Sequence, residues 1–123
     1  DKQEKKTVDI KLAISAYISD DYIHEDRVRL ELYRRLSKAS EIQEVYTIEE
    51  EMEDRFGKPD VPTKQFIELI IIKILALNLG IQNISSYEMA ITFTKANDTK
   101  ETIKSPSKDD DDIIATTLRY LRK

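Results

Sequence analysis

Between Glu41 and Phe56 the chain carries seven carboxylates, Glu41, Glu44, Glu49, Glu50, Glu51, Glu53 and Asp54, against the single Arg55, a local charge of −6. Paired carboxylates can move protons or hold two metal ions, but that work needs a cleft and a neighbour that shifts one pKa. Without them, the same residues make a solvated helix face or a docking surface for an arginine-rich partner. A second acidic run, residues 109–112, invites comparison with a calcium loop. An EF-hand, however, spreads its ligands over about 12 residues around a central glycine and closes on a distal Glu, and neither is present here. Four aspartates ahead of a helical segment that ends in Arg119, Arg122 and Lys123 instead complement the helix macrodipole. No metal ligand set is assigned.

The rest of the composition excludes several chemistries. There is no cysteine, so zinc-thiolate sites, iron–sulfur clusters, disulfides and thiol nucleophiles are ruled out. The one histidine, His24, lies beside Glu25 and reads as solvated. With only Gly57 and Gly80 there is no glycine-rich phosphate cradle and no nucleophile elbow. Arg27, Arg34 and Lys38 fall near one another on one helix surface, a conceivable phosphate stripe. Glu25, Asp26 and Glu31 dilute it, and Glu31 stands four residues before Arg35, the spacing of an intrahelical pair. A net charge of −4 and a pI near 5.1 also argue against a dedicated nucleic-acid binder. Tyr17, Tyr22, Tyr33 and Tyr46 read as core or rim packing, because the motif that presents stacking aromatics in an RNA-recognition sheet is absent.

These residues need elements to carry them. Val8, Ile10, Leu12, Ile14, Ala16 and Ile18 alternate with polar positions and predict a half-buried strand over 8–18. Val28, Leu32, Tyr33, Leu36 and Ala39 predict a helix over about 25–39, and Ile42, Val45, Ile48, Met52 and Phe56 a second over 42–56, stopped by Gly57. Met52 and Phe56 are expected to anchor that helix on the next one. The third, 62–79, opens at Pro62, is apolar almost all round and closes at Gly80, where a left-handed cap is expected. A hairpin over about 87–104 turns at Asn97-Asp98, and a last helix covers 112–122. Order and composition give an α+β fold, a small antiparallel or mixed sheet covered by helices, in one domain over 1–123, with 1–6 expected to be disordered. The chain opens on Asp1, with Met only at 52 and 89, which reads as a piece of a longer protein. With no signal peptide and no spanning segment, the expectation is a monomeric cytoplasmic fragment without membrane contact.

Two stretches together resemble a known family. The first is Asp20-Asp21-Tyr22-Ile23 through Arg29-Leu30 to Tyr33-Arg34-Arg35-Leu36. The second runs from Ile48-Glu49-Glu50-Glu51-Met52-Glu53-Asp54-Arg55-Phe56-Gly57, past Pro62, to Lys73-Ile74-Leu75-Ala76-Leu77-Asn78-Leu79-Gly80-Ile81. In spacing and order they resemble the C-terminal (TRCF) domain of the bacterial transcription-repair coupling factors, the Mfd family, over residues 8–82. The family's proline is replaced at Ser19 or Asp20, and of its Pro-x-Pro only Pro62 aligns.

The resemblance implies a piece of a large ATPase that uses ATP and Mg in a motor outside this chain. That parent would translocate on double-stranded DNA, displace stalled RNA polymerase and recruit UvrA for nucleotide excision repair. The domain itself would be regulatory, without catalytic residues or a cofactor. It would dock on the UvrB-homology module of the same protein, masking UvrA binding and restraining the motor. The contact residues it implies are Glu51, Asp54 and Arg55. Two other readings stay beside it: a free-standing adaptor using the acidic helix 42–56, and a weak nucleic-acid module using Arg27, Arg34 and Lys38.

Overall fold

The computed structural model describes residues 7–123, so the expectation for 1–6 lies outside the described residues. In chain order the elements are β1 (Asp9–Lys11), α1 (Asp26–Lys38), α2 (Ile42–Phe56), α3 (Val61–Asn78), β2 (Ile81–Tyr87), β3 (Ala90–Lys95), β4 (Lys100–Lys104) and α4 (Asp110–Leu121). The α+β class holds, with one four-stranded mixed sheet and four helices. The described residues divide into two compact units, Ser15–Ile74 and the remainder, 7–14 with Leu75–Lys123.

Ser15–Ile74 is helical. Leu32 and Leu36 of α1, Val45, Ile48 and Met52 of α2, and Ile67, Ile70, Ile71, Ile72 and Ile74 of α3 are buried, as their spacing predicts. The extended segment ahead of α1 is fixed by its backbone donors. Tyr17 N–H donates to the Pro62 carbonyl at 3.3 Å, Ile18 N–H to the Tyr33 hydroxyl at 2.7 Å, and Ser19 N–H to Thr63 Oγ1 at 3.0 Å. Those bonds explain why Ser19 and Thr63 can be buried at no net loss of hydrogen bonding. Tyr33 also meets Phe66 edge to face, with ring centroids 5.0 Å apart.

The other unit is the sheet with α4. Strand order is β1-β2-β3-β4; β1 is parallel to β2 and the other pairs are antiparallel. Register places Ile10, Ile84, Phe93 and Glu101 in one cross-strand row, with Ile91 and Ile103 on the same face. Ile84, Ile91 and Phe93 are fully buried. Tyr120 of α4 covers that face, stacked on Phe93 at 4.0 Å, and its hydroxyl donates to Glu101 Oε1. Ser85, Thr92 and Thr102 line the opposite face, where the two threonine hydroxyls bond at 2.9 Å.

Two strand expectations need correction. The strand expected over 8–18 shortens to Asp9–Lys11, because the backbone leaves the ladder just beyond it. Ala13 N–H goes to Ser86 Oγ at 3.1 Å, and Ile14 N–H turns back to Leu12 at 2.8 Å. The hairpin expected from Tyr87 gains a strand ahead of it: Tyr87 ends β2, and the first turn falls at Glu88-Met89, with Glu88 at φ 56°. The turn at Asn97-Asp98 stands, with Asp98 at φ 67° and the Asn97 side chain accepting from Thr99 N–H at 3.0 Å. Helix α2 keeps its expected bounds, and α1, α3 and α4 move by one or two residues.

Candidate functional site

The acidic helix α2 is held at both ends. At its start the chain is held as in a capping box: Glu44 N–H donates to the Glu41 carbonyl at 3.0 Å, and Glu44 Oε1 accepts from Glu41 N–H at 3.0 Å and Ser40 N–H at 2.7 Å. Those backbone donors hold the Glu44 carboxyl below its ordinary range. At its end Gly57 takes φ 88°, ψ −174°, a conformation open essentially to glycine alone. Tyr22 locks this terminus: its hydroxyl donates to the Gly57 carbonyl at 2.6 Å, and its ring meets Phe56 edge-on with centroids 5.9 Å apart. Met52 is buried at 1% exposure, whereas Phe56 is half-buried, with the Arg55 guanidinium 4.8 Å above its ring.

Between those ends, the seven carboxylates have different fates. Glu41 and Glu44 belong to the box. Glu49 is buried at 9% exposure and pairs with Lys64 of α3 at 2.7 Å, and that bond raises the Lys64 pKa. Glu51 accepts a bidentate fork from Arg35 of α1, both contacts at 2.8 Å. The hydrogen bonds from Arg35 hold its carboxyl below the usual range. Glu50, Glu53 and Asp54 are exposed, and among the described residues their side chains form no ion pair or hydrogen bond. Spaced i, i+3 and i+4, they share one helix face. The expected Glu31–Arg35 pair does not form. Arg34 takes Glu31 at 3.1 Å, because Arg35 points across to α2.

The basic side of α1 thins in the same way. Arg29 donates to the carbonyls of Ile23 at 2.6 Å and His24 at 3.1 Å and pairs with Asp26, so it ties down the helix start. Arg27 and Lys38 remain exposed, three turns apart. At α4, Asp110, Asp111 and Asp112 occupy the first turn, and Ser107 Oγ donates to Asp112 at 2.6 Å. No group of acidic or histidine side chains among the described residues is arranged to hold a metal ion. No described helix is long and apolar enough to cross a membrane. Gly80 takes φ 75° after α3, as its position predicts.

Of the residues expected to form the site, α2 thus brings Glu51, Asp54 and Arg55 into consecutive turns, but Glu51 is engaged from within the chain. Sequence reasoning missed Arg35 and Lys64, which decide which carboxylates stay open. Neither announces itself in the sequence, since each pairs across helices at a separation of about fifteen residues.

The TRCF domain family model matches residues 12–105, which reaches past Ile81 and through β4. A transcription-repair-coupling factor from Helicobacter pylori strain J99 is 47% identical over 120 residues, 98% of this chain. One from Mycobacterium bovis is 35% identical over 88 residues, 72% of the chain. The chain spans only 12% and 7% of those two proteins. In fold, it is similar to a crystal structure of the C-terminal domain of a transcription-repair coupling factor. The TM-score is 0.73 at 17% identity, over 95% of this chain and 96% of that one. With the family model covering most of its length and the fold agreeing, the chain belongs to the TRCF domain family, the C-terminal domain of bacterial transcription-repair coupling factors.

Proposed function

We propose that residues 1–123 work as one regulatory, non-catalytic domain of a longer protein, and that α2 docks on the UvrB-homology module of that parent. Docked, the domain masks the surface that binds UvrA and restrains the motor, which hydrolyses ATP with Mg, moves on double-stranded DNA and displaces stalled RNA polymerase. The observation that carries this reading is the open acidic face, Glu50, Glu53 and Asp54, with Arg55 beside it. Two features support it physically. The helix presenting the face is immobilised at both ends, so little ordering is required on docking. Exposed charges give an interface that is specific yet released by salt, which suits a clamp that must open.

The test is a calorimetric titration of this domain into the separately expressed UvrB-homology module of its parent, at low and high salt. A domain of nearly this extent has been crystallised as an isolated chain, so the fragment is a fair reagent. Salt-sensitive binding that Asp54→Arg abolishes is the expected result. No binding at either salt would return the acidic face to a merely solvated one.

A further inference from the structure

If α2 docks as proposed, the Arg35–Glu51 pair bears on how its face is regulated. Arg35 lies in the last turn of α1 and Glu51 in the third turn of α2. Its two guanidinium nitrogens each meet one carboxylate oxygen at 2.8 Å, so the edge of Glu51 that would receive a second guanidinium fork is filled. Glu49 is held too, but its side chain is only 11% exposed and serves the packing of α2 on α3. The Arg35 and Glu51 side chains are 35% and 39% exposed, which leaves their pair open to exchange with an ion arriving from solvent.

We propose that Arg35 is an internal competitor for the cation that docks on α2: it occupies Glu51 while the domain is free and must yield that carboxylate for full engagement. An arriving guanidinium first meets Glu50, Glu53 and Asp54. It gains the bidentate edge of Glu51 only by displacing Arg35. Arg55, four residues from Glu51, still offers the carboxylate a neighbouring positive charge after the exchange. The arrangement weakens the clamp relative to its acid content, and so makes it easier to open. Arg35 is a positioning residue here: it acts on the interface through Glu51, and its role rests on α2 being the docking helix.

The test uses the full-length parent, with one dye on this domain and one on the UvrB-homology module, reading docking as energy transfer through a salt titration. Arg35→Gln is expected to raise the docked-to-undocked ratio about threefold at moderate salt, with the gain lost in Arg35→Gln/Glu51→Gln. Arg35→Lys, which keeps the charge but loses the fork, should fall between. If melting shows that Arg35→Gln unfolds the domain, the Arg35→Lys comparison decides. An unchanged or lowered ratio in the folded Arg35 variants, with Asp54→Arg still releasing the domain, would make the pair a strut between helices and overturn the proposal. An Asp54→Arg parent that docks like wild type would overturn the docking reading itself, and this proposal with it.

Discussion

In Ser15–Ile74 the junctions between elements carry directional polar contacts over the apolar core: Arg35 to Glu51, Lys64 to Glu49, Tyr22 to the Gly57 carbonyl, and the Ile18 N–H to Tyr33. In the sheet unit the work is done by ladder register and an aromatic stack, and the Lys108–Glu88 ion pair there has both ends exposed. Charge divides along the same line. Ser15–Ile74 holds fourteen acidic and nine Lys or Arg side chains, whereas Leu75–Lys123 holds seven of each. The acid surplus therefore sits in the unit whose helices are joined by ion pairs. There some carboxylates are held by internal partners while Glu50, Glu53 and Asp54 stay open to an external one, which is the condition for a regulated interface. The balanced sheet unit has no such surplus to offer.

The sharpest way to break this comparison is to remove the centre of the apolar unit. Phe93 is fully buried beneath Tyr120, so Phe93→Ala should cost about 3–5 kcal/mol in urea unfolding. A loss below about 1 kcal/mol would mean that Tyr120 refills the space and that the stack is not what holds α4 to the sheet.

Removing one polar contact of the helical unit should cost less. Tyr22→Phe keeps the ring against Phe56 and deletes the hydroxyl that satisfies Gly57, with an expected loss of about 1 kcal/mol. Its pH dependence separates the units further. Burial, then the charges of Glu53, Asp60 and Glu49, pushes Tyr22 up to about 12 from the ordinary 10.0. Because the folded chain keeps a proton that the unfolded chain has lost, this contribution is intact below pH 10 and fades as pH rises to about 12. Tyr120 in the sheet unit also rises to about 12, chiefly through its bond to Glu101. Tyr22→Phe should flatten part of the alkaline loss seen in wild type. If the curve keeps its wild-type slope, the loss belongs to the other groups whose pKa folding raises, Tyr120 and Lys64.

The two units also differ in how legible they are from sequence. Helix α2 is readable to the residue, because its apolar spacing and stop glycine agree. Strand β2 is not, and the register gives the reason: a shift between Ile81 and Asn83 puts the buried residues Ile81 and Ile84 three apart, so no alternation appears. The opposite failure befalls β1. Alternation across 8–18 tracks exposure faithfully up to Tyr17, but exposure is not pairing, and hydrogen bonds beyond Lys11 go elsewhere. For the site, the sequence locates the acidic face and its motif but not the state of each carboxylate. Counting seven acids against one arginine ignores Arg35 and Lys64, which lie on other helices and cancel Glu51 and Glu49.

The smallest effect tests whether acids at a helix start act by charge or by hydrogen bonding, and again the units differ. Helix α2 begins with a box in which the Glu44 side chain accepts two backbone protons. Helix α4 begins with Asp109, whose side chain makes no cap bond, followed by Asp110, Asp111 and Asp112 in the first turn. The α4 contribution should therefore be largely charge against the macrodipole. Asp110→Asn is expected to cost about 0.3–1 kcal/mol at low ionic strength and to vanish near 1 M salt, where the screening length is about 3 Å. Glu44→Gln in α2 should be tolerated at both salts, since a glutamine side chain can close the same box. An Asp110→Asn penalty that persists at high salt would instead assign Asp110 a specific hydrogen bond, and the two helix starts would then be alike.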